Sequence, residues 1–276
     1  MALREQVEAL MRGVAAEAVV PRFRRLAAHE IVEKSPGEIV TSADREAERR
    51  LHDGLAALDR GARIVGEEAA AADPELLDDL GAGLVWLIDP LDGTANFAAG
   101  RGPFGMMVAL VEDGAPIAGW MLDPLSGRLC HAERGRGAQC DGAPVRARAT
   151  GANPPLAALA TQFLPAERRA RIHAHAGGRL DLVPIPRCAA ESYPRLAFGE
   201  NDIGLFQRTL AWDHAAGALF LAEAGGRVTH WDGGPYRIGG DGVGILAAAT
   251  PRLWETAAEV LLAPGAGILE REERAA

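Results

Sequence analysis

Residues 86–97 read WLIDPLDGTANF, and no other stretch so narrows what the chain can become. The apolar run Leu84, Val85, Trp86, Leu87, Ile88 has the length and residue types of a buried strand. It is expected to end abruptly on Asp89-Pro90-Leu91-Asp92-Gly93-Thr94, so that two carboxylates emerge together at a strand end. A glycine and a hydroxyl follow, ready to open a helix. Hard cations take clustered carboxylate oxygens, and phosphates take the exposed backbone N–H groups of a helix start. Two carboxylates buried side by side repel each other and lose their hydration unless a cation lies between them. The segment points to a metal site next to a phosphate site.

The flanking sequence reads as mixed α and β structure. Val7, Leu10, Met11 and Val14 recur at helical spacing and predict an amphipathic first helix. Residues 31–40, with Pro36 and Gly37, read as an extended or turn segment. Thr41 and Ser42 are good caps for a second helix whose apolar positions are Ala47, Leu51, Leu55 and Leu58. Ile64 and Val65 predict a short strand ending at Gly66-Glu67-Glu68. Strand patterns at 106–111, 115–122 and 128–132, broken by Asp113-Gly114 and Ser126-Gly127, predict an antiparallel meander. Residues 145–160 are rich in Pro and Ala without a period. They divide the chain into an α+β half, 1–145, and an α/β half, 146–276. In the second half, segments around 165–176, 180–186, 191–199 and 202–206 alternate helix-like and strand-like patterns. AWDHAAGALFLAEAGG at 211–226 then predicts a helix that stops at Gly225-Gly226. The sequence ends on a charged run, Glu270 to Arg274.

Composition closes off several functions. A net charge of −9 argues against a nucleic-acid partner, although a divalent metal would still admit an anionic substrate. Cys130, Cys140 and Cys188 are widely spaced and predict no disulfide framework. The opening MALREQVEALMRGV carries Arg4, Glu5 and Glu8 and predicts no secretion signal. No apolar stretch approaches the ~18 residues of a membrane span. The expected location is cytoplasmic. His173 and His175 lack other ligands in metal-like spacing and are read as surface residues.

Carboxylates recur at element ends: Asp44, Glu67, the Asp89/Asp92 pair and Asp213. Singly, most have ordinary explanations. Asp44 completes a capping box with Thr41, Glu67-Glu68 makes a solvated turn, and Asp213 favours a helix dipole. The Asp89/Asp92 pair resists such an explanation.

GEE at 66–68, DPLDGTANF at 89–97 and WDHAAGALFLAEAGG at 212–226 resemble, in order and spacing, the three signatures of the inositol monophosphatase family. KSPGEIVTSAD at 34–44 resembles its upstream segment, with Glu38 in place of an Asp. The resemblance spans roughly residues 5–265. It implies a layered αβαβα sandwich and a Mg²⁺-dependent, lithium-sensitive phosphatase acting on a small phosphorylated metabolite, commonly as a homodimer. Two or three Mg²⁺ ions would be held by Glu67, Asp89, Asp92, Asp213 and the Leu91 carbonyl. Gly93 and Thr94 would bind the phosphate. The Thr94 hydroxyl and Asp44, with Glu67 nearby, would orient the attacking water and help deprotonate it, while Glu68 supports the site.

The substrate half departs from that pattern. Inositol-specific members carry a hydroxyl-binding Glu before the W-D pair; here Phe206 or Gln207 stands near its place, followed by Arg208. Arg187-Cys188-Ala189-Ala190-Glu191 replaces another family element, and puts Glu191 near the expected leaving-group pocket. Glu191 is there either exposed and without effect, or selective for a cationic or hydroxyl-rich substrate. Arg187, Glu191, Gln207 and Arg208 are the candidate substrate residues. The expected substrate is an inositol-like sugar or polyol phosphate. Histidinol phosphate, a 3′(2′),5′-bisphosphate nucleotide and a fructose-1,6-bisphosphate-type sugar bisphosphate are the alternatives. A non-catalytic binding or regulatory member is the reading from a different class.

Overall fold

A computed structural model describes residues 2–263 apart from 36 and 59, so the terminal charged run and Pro36 lie outside the described residues. Helix α1 (Leu3–Val14) buries Val7, Met11 and Val14 on one face. The segment read as extended is a hairpin of β1 (Ile31–Ser35) and β2 (Glu38–Thr41). Thr41 caps α2 (Ser42–Ala56): its hydroxyl accepts the Ala43 N–H while Asp44 accepts the Thr41 N–H. Ala47, Leu51 and Leu55 are buried as expected, but the helix stops short of Leu58, which packs half-buried just past its end.

Next come β3 (Arg63–Gly66), α3 (Glu67–Ala72), β4 (Leu84–Asp92) and α4 (Thr94–Ala98). The meander follows as β5 (Gly105–Glu112), β6 (Ala115–Leu122), β7 (Leu129–Glu133), β8 (Gly137–Cys140) and β9 (Ala143–Val145). Together β3 to β9 form a seven-stranded sheet in sequence order, parallel only between β3 and β4. The remaining elements are β10 (Leu156–Ala160), α5 (Ala166–Ala176), β11 (Asp181–Leu182), α6 (Ala189–Ala197), β12 (Ile203–Phe206), α7 (Ala211–Glu223), β13 (Arg227–Thr229), β14 (Ile245–Ala248) and α8 (Pro251–Leu261). Their five strands form a second sheet in the order β11-β10-β12-β14-β13.

Strand alternation builds the layers. On β4 and β5, Trp86, Ile88, Met106, Val108 and Leu110 point to a core shared with α1 and α2. Val85, Leu87, Met107, Ala109 and Val111 point the other way, to α6 and α7. Ile245 and Ala247 of the second sheet join that same core from its far side. Leu246 and Ala248 face outward to α5 and α8. The order is helices, seven-stranded sheet, α6 and α7, five-stranded sheet, helices: the layered αβαβα sandwich.

Strand β4 differs from expectation where it matters most. It does not end at Asp89 but runs on to Asp92, with Asp89 opposite Met107 and Asp92 opposite Gly105. One extra residue is thus accommodated between the two carboxylates. In a regular strand, residues three apart face opposite sides. The bulge corrects that phase, and Pro90, which has no N–H to give a ladder, lies within it.

Candidate active site

Carboxylate-bearing ends from both parts of the chain meet in one cleft of about 210 Å³. Glu67 enters from the start of α3, Asp89 and Asp92 from the end of β4, and Asp213 from the first turn of α7. One oxygen each of Glu67, Asp89 and Asp213 lie within 4.8 Å of one another. Asp92 lines the same cleft but falls outside that group of three. Its Oδ2 accepts the Ala190 N–H at 2.6 Å, which ties β4 to α6.

This cluster is electrostatically unbalanced. Burial and then the neighbouring acids push the Asp89 and Asp213 carboxyls well above the usual carboxylate range. Burial raises Asp92 to about 6, against the backbone donors that oppose it. Lys34 donates to Glu67 at 2.8 Å and to Glu68 at 2.7 Å. Although burial disfavours its ammonium, those two acids outweigh burial and hold it above its ordinary value. A crowded, all-oxygen donor set of this kind fits a hard divalent cation such as Mg²⁺. A bound cation would reverse the sense of each carboxyl shift.

Beside the cluster, Asp44 and Thr94 form a hydrogen-bonded pair. Asp44 Oδ1 lies 2.9 Å from Thr94 Oγ1, and the Leu91 carbonyl lies 2.9 Å from that same hydroxyl. One hydroxyl proton serves only one acceptor at a time. Thr94 therefore donates to Leu91 when Asp44 is protonated and can donate to Asp44 when it is not. Burial raises the Asp44 carboxyl to about 7, despite donation from Thr41. Gly93, at φ +82°, precedes α4. A Cβ there would come within 3.1 Å of the Pro103 carbonyl and 3.3 Å of Cys188, so only glycine makes the turn without strain. Asn96 donates to the Pro103 and Pro186 carbonyls at 2.8 and 3.0 Å and fixes the turn against the segment before α6.

Two supports escaped sequence reasoning. Glu48, buried on α2, accepts the N–H groups of Glu68 at 2.8 Å and Ala69 at 2.7 Å, and so anchors the helix start that carries Glu67. Its spacing from Asp44 on one helix face was the available signal. His214 bridges Tyr193 Oη at 2.9 Å and the Arg208 carbonyl at 3.1 Å, and burial lowers its pKa to about 4.

The candidate substrate residues separate. Arg187 and Arg208 line the cleft; Glu191 and Gln207 do not. Glu191 is held by Arg128 at 2.6 Å and Arg195 at 2.7 Å, and it is neither exposed nor on the cleft wall. The Gln207 Oε1 is buried without a partner, and Phe206, its neighbour, is the residue on the cleft wall. Arg208 pairs with Glu38 of the hairpin and lies over the Phe163 ring, 4.6 Å from its centroid. His173 and His175 lie on α5, where they contact Thr161 and Arg179. Cys188 is a buried part of the cleft wall, and all three cysteines are free.

The sandwich and its acid-lined cleft define a phosphoric monoester hydrolase. A sequence model of the inositol monophosphatase family matches residues 3–263, and the chain belongs to that family. An inositol-1-monophosphatase of Mycobacterium leprae is 34% identical over 239 residues, 83% of this chain and 78% of its own. A histidinol-phosphatase of Mycobacterium tuberculosis is 34% identical over 205 residues, 71% and 76% of the two chains. The crystal structure of the extragenic suppressor protein SuhB from Bartonella henselae superposes with a TM-score of 0.77 at 25% identity, covering 92% of this chain and 98% of that one. Among the described residues no helix is long and apolar enough to cross a membrane.

Proposed function

We propose that the protein is a Mg²⁺-dependent phosphatase that hydrolyses a small phosphomonoester by direct attack of water. The observation that carries this reading is the convergence of Glu67, Asp89 and Asp213 oxygens within 4.8 Å, beside the Asp44–Thr94 pair. Glu67, Asp89, Asp92, Asp213 and the Leu91 carbonyl would hold two or three Mg²⁺ ions. When bound, Mg²⁺ supplies positive charge for the phosphoryl oxygens and acidifies water.

The chain's own groups do the rest. The N–H groups of Gly93 and Thr94 receive phosphate oxygens at the start of α4, where helix geometry leaves them without internal acceptors. Thr94 Oγ orients the attacking water, and Asp44 takes up its proton through that hydroxyl. Water oxygen bonds to phosphorus as the ester P–O bond breaks, and the leaving alkoxide takes a proton from a solvent water, whose hydroxide collects the proton held by Asp44. Glu68, held by Lys34, supports Glu67 from the side.

We further read the protein as lithium-sensitive, homodimeric and cytoplasmic, and as two halves meeting at residue 145/146 with the site between them. Among substrates, the family relationship favours a sugar or polyol phosphate such as inositol 1-phosphate. Histidinol phosphate is the second reading, since the activity named for the M. tuberculosis relative is that of a histidinol-phosphatase. Release of inorganic phosphate from simple alkyl and aryl esters, with Mg²⁺ and after chelation, tests the reaction class. Turnover that needs Mg²⁺ supports it, and no Mg²⁺-dependent turnover on any ester refutes it.

A further inference from the structure

Away from the carboxylates the cleft changes character. On the inner face of the second sheet, Ala158 and Ala160 of β10 lie opposite Gly204 and Phe206 of β12. Three of these four residues are alanine or glycine, so the sheet face leaves a slot that larger side chains would fill. Its walls are Phe206, Leu196 of α6 and the half-exposed ring of Phe163. Phe206 and Leu196 already close over Gly204, where a Cβ would meet them at 3.2 and 3.3 Å, so the open part of the slot lies over Ala158 and Ala160. Phe206 has no freedom to swing away. It stacks on Tyr193 at 5.4 Å and meets the edge of His214 at 4.9 Å. Over the mouth, Arg208 lies on Phe163 while its guanidinium is engaged by Glu38. That cation is committed to the wall and is not held in reserve for a hydroxyl or a second anion.

A polyol pushed into such a slot would lose water from its hydroxyls, with Gln162, Ser192 and Asn201 the neutral polar side chains on the cleft lining left to replace it. Each hydroxyl left unpaired lowers affinity by about tenfold or more. A flat apolar ring would lose nothing of that kind and would gain from its buried area, by about tenfold or more over a ring-sized polyol.

We propose that this slot takes the alcohol half of the ester and selects a flat, apolar-bodied alcohol, an aromatic ring on a short alkyl arm, over a polyol. Phe206 is its specificity-determining residue. The proposal rests on the phosphatase reading and names the substrate class of that same site. Hydrolysis of P–O proceeds as above, with the alkoxide leaving as the free alcohol.

Three esters with alkyl leaving groups test it: benzyl phosphate, inositol 1-phosphate and methyl phosphate, each assayed for kcat/KM at saturating Mg²⁺. The parent protein is expected to prefer benzyl phosphate over inositol 1-phosphate by about tenfold or more. Ala160→Leu, which fills the slot, should raise KM for benzyl phosphate about tenfold relative to methyl phosphate. Phe163→Ser, at a half-exposed ring, should lower the benzyl-to-inositol preference several-fold and covers the case in which the first variant does not fold. Equal use of the two larger esters, or preference for inositol 1-phosphate, overturns the slot assignment and leaves the phosphatase reading standing. So does an unchanged benzyl-to-methyl ratio in both variants. Failure of the parent to hydrolyse any of the three with Mg²⁺ overturns the phosphatase reading and the slot assignment with it.

Discussion

Glu48 offers the sharpest separation between stability and function. Its carboxylate accepts the Glu68 and Ala69 N–H groups and fills the space beneath Gly66, where a Cβ would come within 2.3 Å of it. Burial pushes its pKa from 4.5 up to about 7, outweighing those two donors, and the Glu67 and Glu68 charges add to the rise. Because the folded value lies above the unfolded one, the associated stability is fully present below about pH 4.5 and is lost as pH rises through 7. The rise corresponds to roughly 3 kcal/mol. Glu48→Gln removes that titration and keeps the shape and one acceptor oxygen, but its NH₂ faces the other backbone N–H. An unmet N–H costs about 1–3 kcal/mol. At pH 8, where the parent has already lost its 3 kcal/mol, the two effects nearly cancel. Urea unfolding of the cation-free variant at pH 8 should then fall within about 2 kcal/mol of the parent, and at pH 5 the variant should be clearly less stable. The loosened start of α3 no longer aims Glu67, so the Mg²⁺ concentration for half-maximal activity should rise about 10–100-fold. An unchanged Mg²⁺ requirement alongside a large stability loss at pH 8 would refute the reasoning, because Glu48 would then serve the fold alone.

Other consequences can be checked alongside. Asp92→Asn and Asp213→Asn should each cut turnover by orders of magnitude while melting temperature holds or rises, since each removes a buried repulsion; near-parental rates at saturating Mg²⁺ would remove that residue from the metal set. Thr94→Val deletes the hydroxyl between Asp44 and the Leu91 carbonyl and should lower kcat about 10²-fold or more with the circular dichroism spectrum unchanged. In EDTA, Asp44 at about 7 and Asp92 at about 6, both raised from 3.8, give stability that is complete below about pH 4 and lost as pH rises to 7. Thermal melting in EDTA should therefore fall from pH 5 to pH 8, and Mg²⁺ should raise it most at pH 8; a melting temperature that climbs with pH in EDTA would contradict this.

The convergence of acids on one cleft was legible because their chemistry admits few alternatives. Two carboxylates at a strand end are costly to bury unless a cation lies between them, and another after a short strand and a fourth opening an apolar helix can join them around it. The continuous apolar run of Leu84 to Ile88 likewise marked a buried strand, and the structure covers it on both faces. What sequence could not supply was phase. Whether Phe206 or Gln207 faces the cleft depends on which side of β12 meets α6, and that is settled only by pairing with β10 and β14. The strand end placed at Asp89 missed the bulge, which continues the ladder past a proline. The surroundings of Glu191 stayed open in the sequence for a related reason. Arg195, one turn on, was visible as its partner, but Arg128 comes from a distant part of the chain. Glu48 lay hidden in the charged run DREAERR, where it looks like one more solvated acid.

Helix α7 has a consequence for how the site comes apart. Nine of its 13 residues are buried, because it lies between the two sheets, and it carries Asp213 in its first turn. Glu38, by contrast, sits on a two-stranded hairpin that is tied down by buried Val40 and Thr41 at one end and by the ion pairs of Lys34 and Arg208. Amide exchange in α7 should require global unfolding, whereas the hairpin can open by itself at far lower cost. The two sides of the cleft therefore fail in sequence as denaturant or salt is added. The hairpin wall, which brings Gly37, Glu38 and Ile39 to the cleft, gives way first, while Asp213 stays in place until the whole interior yields. A mildly weakened molecule would lose the Lys34 tether on Glu67 and the Glu38 tether on Arg208 while Asp213 is still in place.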